Sequence, residues 1–107
     1  MPTYQSLKFD ALGDPSRRSI FELLGAGPRS VAQIAEAVPI SRPAVSQHLK
    51  VLKDSGLVRA EAVGTRRIYR IDPDGVRAVR DYFDRFWTDA LADFARVANT
   101  LEEDRDN

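Results

Sequence analysis

The stretch Ser41–Val58, SRPAVSQHLKVLKDSGLV, decides how the chain is read. Val45, Leu49 and Leu52 recur at helical spacing, while Ser46, Gln47, Lys50 and Lys53 fall on the other faces. Ser41 is placed to cap the start. Pro43 sits in the first turn, where a missing N–H is no loss, and Gly56 ends the helix. The result is a short helix anchored by three aliphatics that turns Arg42, Pro43, Ser46 and Gln47 outward. Gln can pair bidentately with adenine and Arg with guanine, so these side chains suit the major groove of DNA.

The residues on either side extend this pattern. Upstream, Ser30 and Gln33 have the spacing of a capping box, and Val31, Ile34, Ala35 and Val38 supply an apolar stripe that Pro39 closes. Two short helices joined by Val38-Pro39-Ile40, the second facing outward, make a helix-turn-helix over residues 30–56. Downstream, residues 57–63 alternate apolar and polar. Gly64-Thr65 then places Gly where a type II′ turn requires it, and residues 66–71 return. Residues 57–71 are thus expected to form a β-hairpin wing with Arg66 and Arg67 just past its tip.

Composition bounds the function. The 107 residues are expected to form one domain, and the chain contains no cysteine and a single histidine, His48. This leaves no disulfide framework and no cysteine metal site. His48 beside Ser41 and Ser46 on one outward-facing helix makes neither pocket nor oxyanion hole, so no catalytic residue is expected. No metal and no cofactor are expected either. Asp81, Asp84, Asp89 and Asp93, without a histidine near them, read as a solvated face rather than a zinc site. No apolar run approaches the roughly 18 residues of a membrane span, no secretory signal is visible, and the expected location is the cytoplasm.

The net charge of zero hides a division. Residues 15–70 carry 10 Lys and Arg against 4 Asp and Glu, whereas residues 71–107 carry 5 against 10. The positive block coincides with the helix-turn-helix and wing, where phosphates would be met.

The flanking segments read as scaffold. Tyr4, Leu7, Ala11 and Leu12 mark a first short helix. Asp14-Pro15 starts a second, which Gly25-Ala26-Gly27-Pro28 stops. Asp72-Pro73 starts a last helix whose apolar residues recur every three or four positions to Leu101, leaving residues 102–107 as an acidic tail. A helix of that length spans about 43 Å, too far for one small domain to cover. Phe83, Phe86, Trp87, Leu91 and Phe94, with Leu7 of the first helix, are therefore expected to pack on a second copy.

The order of helices, the motif and the wing resemble the ArsR/SmtB family of winged helix-turn-helix transcriptional regulators. The resemblance runs from about Leu7 to Leu101. It rests on Ala11-Leu12-Gly13-Asp14-Pro15-Ser16-Arg17-Arg18, on SRPAVSQHLKVLKDSGLV and on Gly64-Thr65-Arg66-Arg67-Ile68-Tyr69. It implies a mainly α fold of order α-α-α-α-β-β-α that dimerises through its terminal helices. It also implies a homodimeric repressor on an inverted-repeat operator in double-stranded DNA, commonly its own promoter, released by an effector that the sequence does not name. The helix before the recognition helix, SVAQIAEAV, lacks the cysteine that metal-sensing members often carry there. Two alternatives stay open: a metal- or small-molecule-responsive sensor of the same fold, and a winged-helix protein-interaction module.

Residue roles follow from position. Arg42 and Gln47 are expected to read bases, with Ser46 beside them and Pro43 offering apolar contact. Ser41 is first a cap and second a phosphate donor. His48 either donates to a phosphate or is a half-buried helix residue, and Lys50 and Lys53 either meet phosphate or are solvated. Arg66 and Arg67 are expected at the DNA backbone or an adjacent minor groove, and Tyr69 in the packing of the wing. For Arg17 and Arg18, at a helix start that disfavours cations, acids and phosphate both remain open as partners.

Overall fold

The computed structural model describes the backbone of residues 4–106 and the side chains of residues 7–102. Its elements are α1 (Tyr4–Gly13), α2 (Pro15–Gly25), β1 (Arg29–Ser30), α3 (Val31–Ala37), α4 (Arg42–Asp54), β2 (Val58–Val63), β3 (Arg66–Ile71) and α5 (Pro73–Asp106). The caps form where local chemistry places them. Asp14 accepts from the Arg17 backbone N–H at 3.0 Å, and Ser41 accepts from that of Ala44 at 3.3 Å. At α3 the box is reciprocal: Ser30 Oγ accepts from the Gln33 N–H, and Gln33 Oε1 accepts from the Ser30 N–H.

The end of α4 is equally specified. Gly56 takes φ 83°, a left-handed conformation that favours glycine. The Leu57 N–H then reaches Leu52 O and the Gly56 N–H reaches Lys53 O, both at 3.0 Å, which closes a Schellman motif. At the wing, Val63 pairs with Arg66 across Gly64-Thr65. Gly64 has φ 63° and Thr65 does not have positive φ, as a type II′ turn requires.

Two boundaries differ from the sequence reading. Arg29–Ser30 adds a two-residue strand on the far edge of β3, so the sheet has three antiparallel strands in the order β1-β3-β2. A strand of two residues has no alternation to read, and its pairing to Ile68 and Tyr69 is far away in sequence. The last helix also passes Leu101 and runs to Asp106. The apolar stripe ends at Leu101, but Glu and Arg favour helix and let it propagate. The side chains of the acidic tail beyond Glu102 lie outside the described residues.

One core holds the first seven elements together. Ile20 and Leu24 of α2, Ile34 of α3, and Val45, Leu49 and Leu52 of α4 meet Leu57, Val58 and Tyr69 of the wing base. Tyr69 is buried, as expected of wing packing. The helix α5 leaves this core. Val79 packs against it, and Tyr82 and Phe83 stack edge-on with Phe9 of α1 at 5.0 and 5.4 Å between ring centroids. Beyond that anchor Trp87 is 60% exposed and Phe94 72% exposed. The molecule measures 73 × 28 × 25 Å, with a radius of gyration of 19.6 Å against about 13 Å for a compact domain of this size.

Candidate nucleic-acid interface

The outward face of α4 is built from its cap. Ser41 fixes the entry angle, Pro43 rigidifies the first turn, and burial of Val45, Leu49 and Leu52 sets the rotation. That rotation leaves Ser41, Arg42, Pro43, Ser46 and Gln47 exposed. None of the Arg42, Ser46 and Gln47 side chains is engaged by the protein among the described residues, so their donors and acceptors are available to a ligand.

Several other predicted contacts are held by the protein itself. Lys50 is exposed but donates to Asp54 at 2.8 Å, and this hydrogen bond, more than the attraction of the opposite charge, raises its pKa. Arg66 reaches back across the wing, its Nη2 donating to Ser30 Oγ at 3.0 Å. The Arg67 guanidinium lies 6.0 Å from the centroid of the Tyr69 ring. Arg66 and Arg67 both remain exposed at the turn end of the hairpin.

His48 is half-buried and turned toward α2. Its Nδ1 lies 3.5 Å from Nη1 of Arg17. A guanidinium has no acceptor, so Nδ1 accepts, and the proton of the neutral ring falls on Nε2. Arg17 itself, whose partner the sequence left open, is bound by carbonyls. Its Nε donates to Ala11 O at 2.7 Å and its Nη2 to Asp10 O at 3.4 Å. One side chain thus satisfies carbonyls at the end of α1 and touches the recognition helix. The carboxyl of nearby Asp14 is held below the ordinary carboxylate range, chiefly because it accepts the Arg17 backbone N–H.

The joint between α4 and α5 escaped the sequence reading. The Asp72 N–H donates to Leu57 O at 2.9 Å. Gly75, in the first turn of α5, sits so close to Gly56 that an added Cβ would fall 1.9 Å from Gly56 O. The only sequence signal was a glycine inside a helical pattern. Burial works to raise the Asp72 carboxyl, but the hydrogen bond from Arg59 and the N–H groups of Asp74 and Gly75 outweigh it and hold it below the ordinary value.

Among the described residues no group of three or more His, Cys, Asp or Glu side chains is arranged to hold a metal ion, and no helix is long and apolar enough to cross a membrane.

A capped recognition helix on a three-helix core, followed by a two-stranded wing, defines a winged helix-turn-helix regulator. A helix-turn-helix domain model matches residues 12–61. The HTH-type transcriptional regulator Rv2034 of Mycobacterium tuberculosis is 48% identical over 106 residues, covering 97% of this chain and 99% of that protein. An ArsR-like transcriptional regulator from Rhodococcus superposes with a TM-score of 0.76 at 30% identity, covering 89% of this chain and 92% of that one. The homodimeric winged helix-turn-helix DNA-binding domain Mb0332 of Mycobacterium bovis, a possible ArsR-family regulator, gives 0.66 at 33% identity over 84% of this chain and 79% of that one. The chain belongs to the ArsR/SmtB family of transcriptional regulators, and its relatives are regulators rather than enzymes.

Proposed function

We propose that the protein is a homodimeric transcriptional repressor that binds an inverted-repeat operator in double-stranded DNA, its own promoter among the targets. The observation that carries this is the start of α4. Arg42, Ser46 and Gln47 are exposed and unengaged on a helix fixed by its cap and core. The N-terminal residues of a recognition helix are the ones that reach base edges. Arg42 and Gln47 read bases, Ser46 and Pro43 flank them, and Ser41 adds a phosphate contact to its capping role. Lys50 and the Nε2–H of His48 are second to these, since Asp54 and Arg17 already hold them. Arg66 and Arg67 carry the wing to the backbone or minor groove.

Dimerisation supplies the second half-site. The exposed row Phe86, Trp87, Leu91 and Phe94 continues the line of Phe83 along α5, and Leu7 on α1 is exposed as well. Each such aromatic leaves about 1.5–3 kcal/mol of burial unrealised in a single chain. The M. bovis relative is homodimeric, and a second copy of this chain offers the same complementary row. Repression then needs nothing beyond occupancy of the promoter, and the cytoplasm is where that DNA lies.

Fluorescence anisotropy with a duplex from the gene's upstream region, a scrambled duplex and two salt concentrations tests this. Tight, salt-sensitive binding to the upstream duplex is expected. Equal affinity for both duplexes would refute autoregulation.

A further inference from the structure

The recognition helix and the last helix meet backbone to backbone. Gly75 is the third residue of α5 and is buried. A Cβ there would stand 1.9 Å from Gly56 O, 2.9 Å from Gly56 C and 3.2 Å from Leu57 Cα. None of these atoms can swing aside as the end of a side chain would. Gly56 is held at φ 83° by the motif that ends α4, and Leu57 O accepts the Asp72 N–H at 2.9 Å. Asp72 Oδ1 in turn accepts from Arg59 Nη2 of β2 at 3.3 Å and from the Asp74 N–H at 2.9 Å. The joint is thus fixed from both sides.

A second attachment lies farther along α5. Val79 packs on the core, and Tyr82 and Phe83 meet Phe9 of α1. From Gly75 to Phe83 the helix runs about 12 Å. Two points define a line, so the joint and the aromatic anchor together aim the exposed row that starts at Phe86. Ordinary contact for a Cβ begins at 3.4 Å, so a methyl at position 75 needs about 1.5 Å more room. Taken up as a pivot about the anchor, that is a tilt of roughly 7° over the 12 Å arm. Carried along α4, about 20 Å long, the tilt moves the start of the recognition helix by roughly 2–4 Å, and one base pair rises about 3.4 Å.

We propose that Gly75 is a specificity-determining residue: by letting α5 close onto Gly56 it sets the angle between the recognition helix and the dimer helix, and so the half-site spacing that the dimer accepts. The spacing rests on the function proposed above, whereas the angle does not. A contact that served packing alone would change stability and leave both angle and spacing where they are.

The angle is measured without DNA. The chain has no cysteine, so Ser46→Cys with Asp89→Cys, both at exposed positions, places one spin label on α4 and one on α5. Excess unlabelled chain removes signals between copies, and pulsed electron resonance reads the distance. Gly75→Ala should shift it by about 2 Å or more, and Gly25→Ala, with open space around its Cβ, should not. The spacing is measured on unlabelled full chains lacking the label substitutions, with duplexes whose half-sites are moved apart one base pair at a time. Gly75→Ala should bind best at least one base pair from the wild-type optimum, and about tenfold more weakly at that optimum, where the duplex must twist to restore register. Should Gly75→Ala fail to fold, Asp72→Ala, which removes the clamp on the joint, should broaden the distance distribution and flatten the spacing preference. An unchanged distance in folded Gly75→Ala, an unchanged width in Asp72→Ala, or an unchanged spacing optimum where the wild type reads an inverted repeat would each overturn the proposal. A distance that shifts in a chain that binds no duplex contradicts the operator reading and the spacing with it, and leaves the angle standing.

Discussion

Arg17 joins three helices through one side chain: it sits on α2, bonds the last carbonyls of α1 and faces His48 of α4. Arg17→Ala should lower stability by about 1–2 kcal/mol, because the partly buried Ala11 carbonyl loses a charged donor. Chemical denaturation measures it, and Arg17→Lys, lacking the planar fork, should recover only part. Asp14, whose pKa is depressed in the folded state, contributes stability that is complete above its unfolded value and is lost as pH falls through its folded one. The stability difference between wild type and Asp14→Ala should therefore be constant near neutrality and shrink below about pH 4 in acid titrations. On the DNA side, Gln47→Ala should weaken operator binding by about 1–3 kcal/mol and relax preference at one base pair. Equal losses on all duplexes would place Gln47 on the backbone instead. None of the Arg17 geometry was legible in the sequence. The third residue of a helix gives no sign that its side chain will turn back six positions to a preceding carbonyl.

At the scale of elements, whatever depends on neighbours in sequence could be read in advance. The capping box at Ser30, the caps at Asp14 and Ser41, the Gly56 stop and the Gly64-Thr65 turn are local chemistry, and they fix α2, α3, α4 and the hairpin. What depends on distant approach was not legible. The strand Arg29–Ser30 exists only because β3 lies beside it, Phe9 and Tyr82 meet across α1 and α5, and Gly75 is required by Gly56. Gly75 makes a sharp prediction. In an open helical position Gly→Ala gains up to about 1 kcal/mol, and Gly25, with nothing near its would-be Cβ, should behave so. Gly75→Ala should do the reverse, losing about 1–3 kcal/mol as the α4–α5 joint is forced apart. Thermal melts of the two variants side by side measure the contrast.

For the molecule as a whole, the division of charge read from the sequence corresponds to a division in space. The basic residues belong to the compact helix-turn-helix and wing. The acidic ones lie along α5, a rod of about 51 Å that leaves the core after Phe83. The exposed row from Phe86 to Leu101 was legible as a stripe in need of cover. Trp87→Asp, at the middle of that row, should convert a dimer into a monomer at micromolar concentration by sedimentation and abolish tight operator binding while the fold survives. The most direct measurement is selection of bound duplexes from a random pool by the full chain, followed by titration of the enriched sequence over a range of salt. A dimeric reader of base edges enriches an inverted repeat with half-sites about one helical turn apart or a multiple of it. It binds one dimer per duplex, and its affinity falls linearly as salt rises on logarithmic axes. Recovery of no common sequence, with no salt-dependent binding to any duplex, would contradict a DNA-binding regulator and turn the exposed face of α4 into a surface for protein.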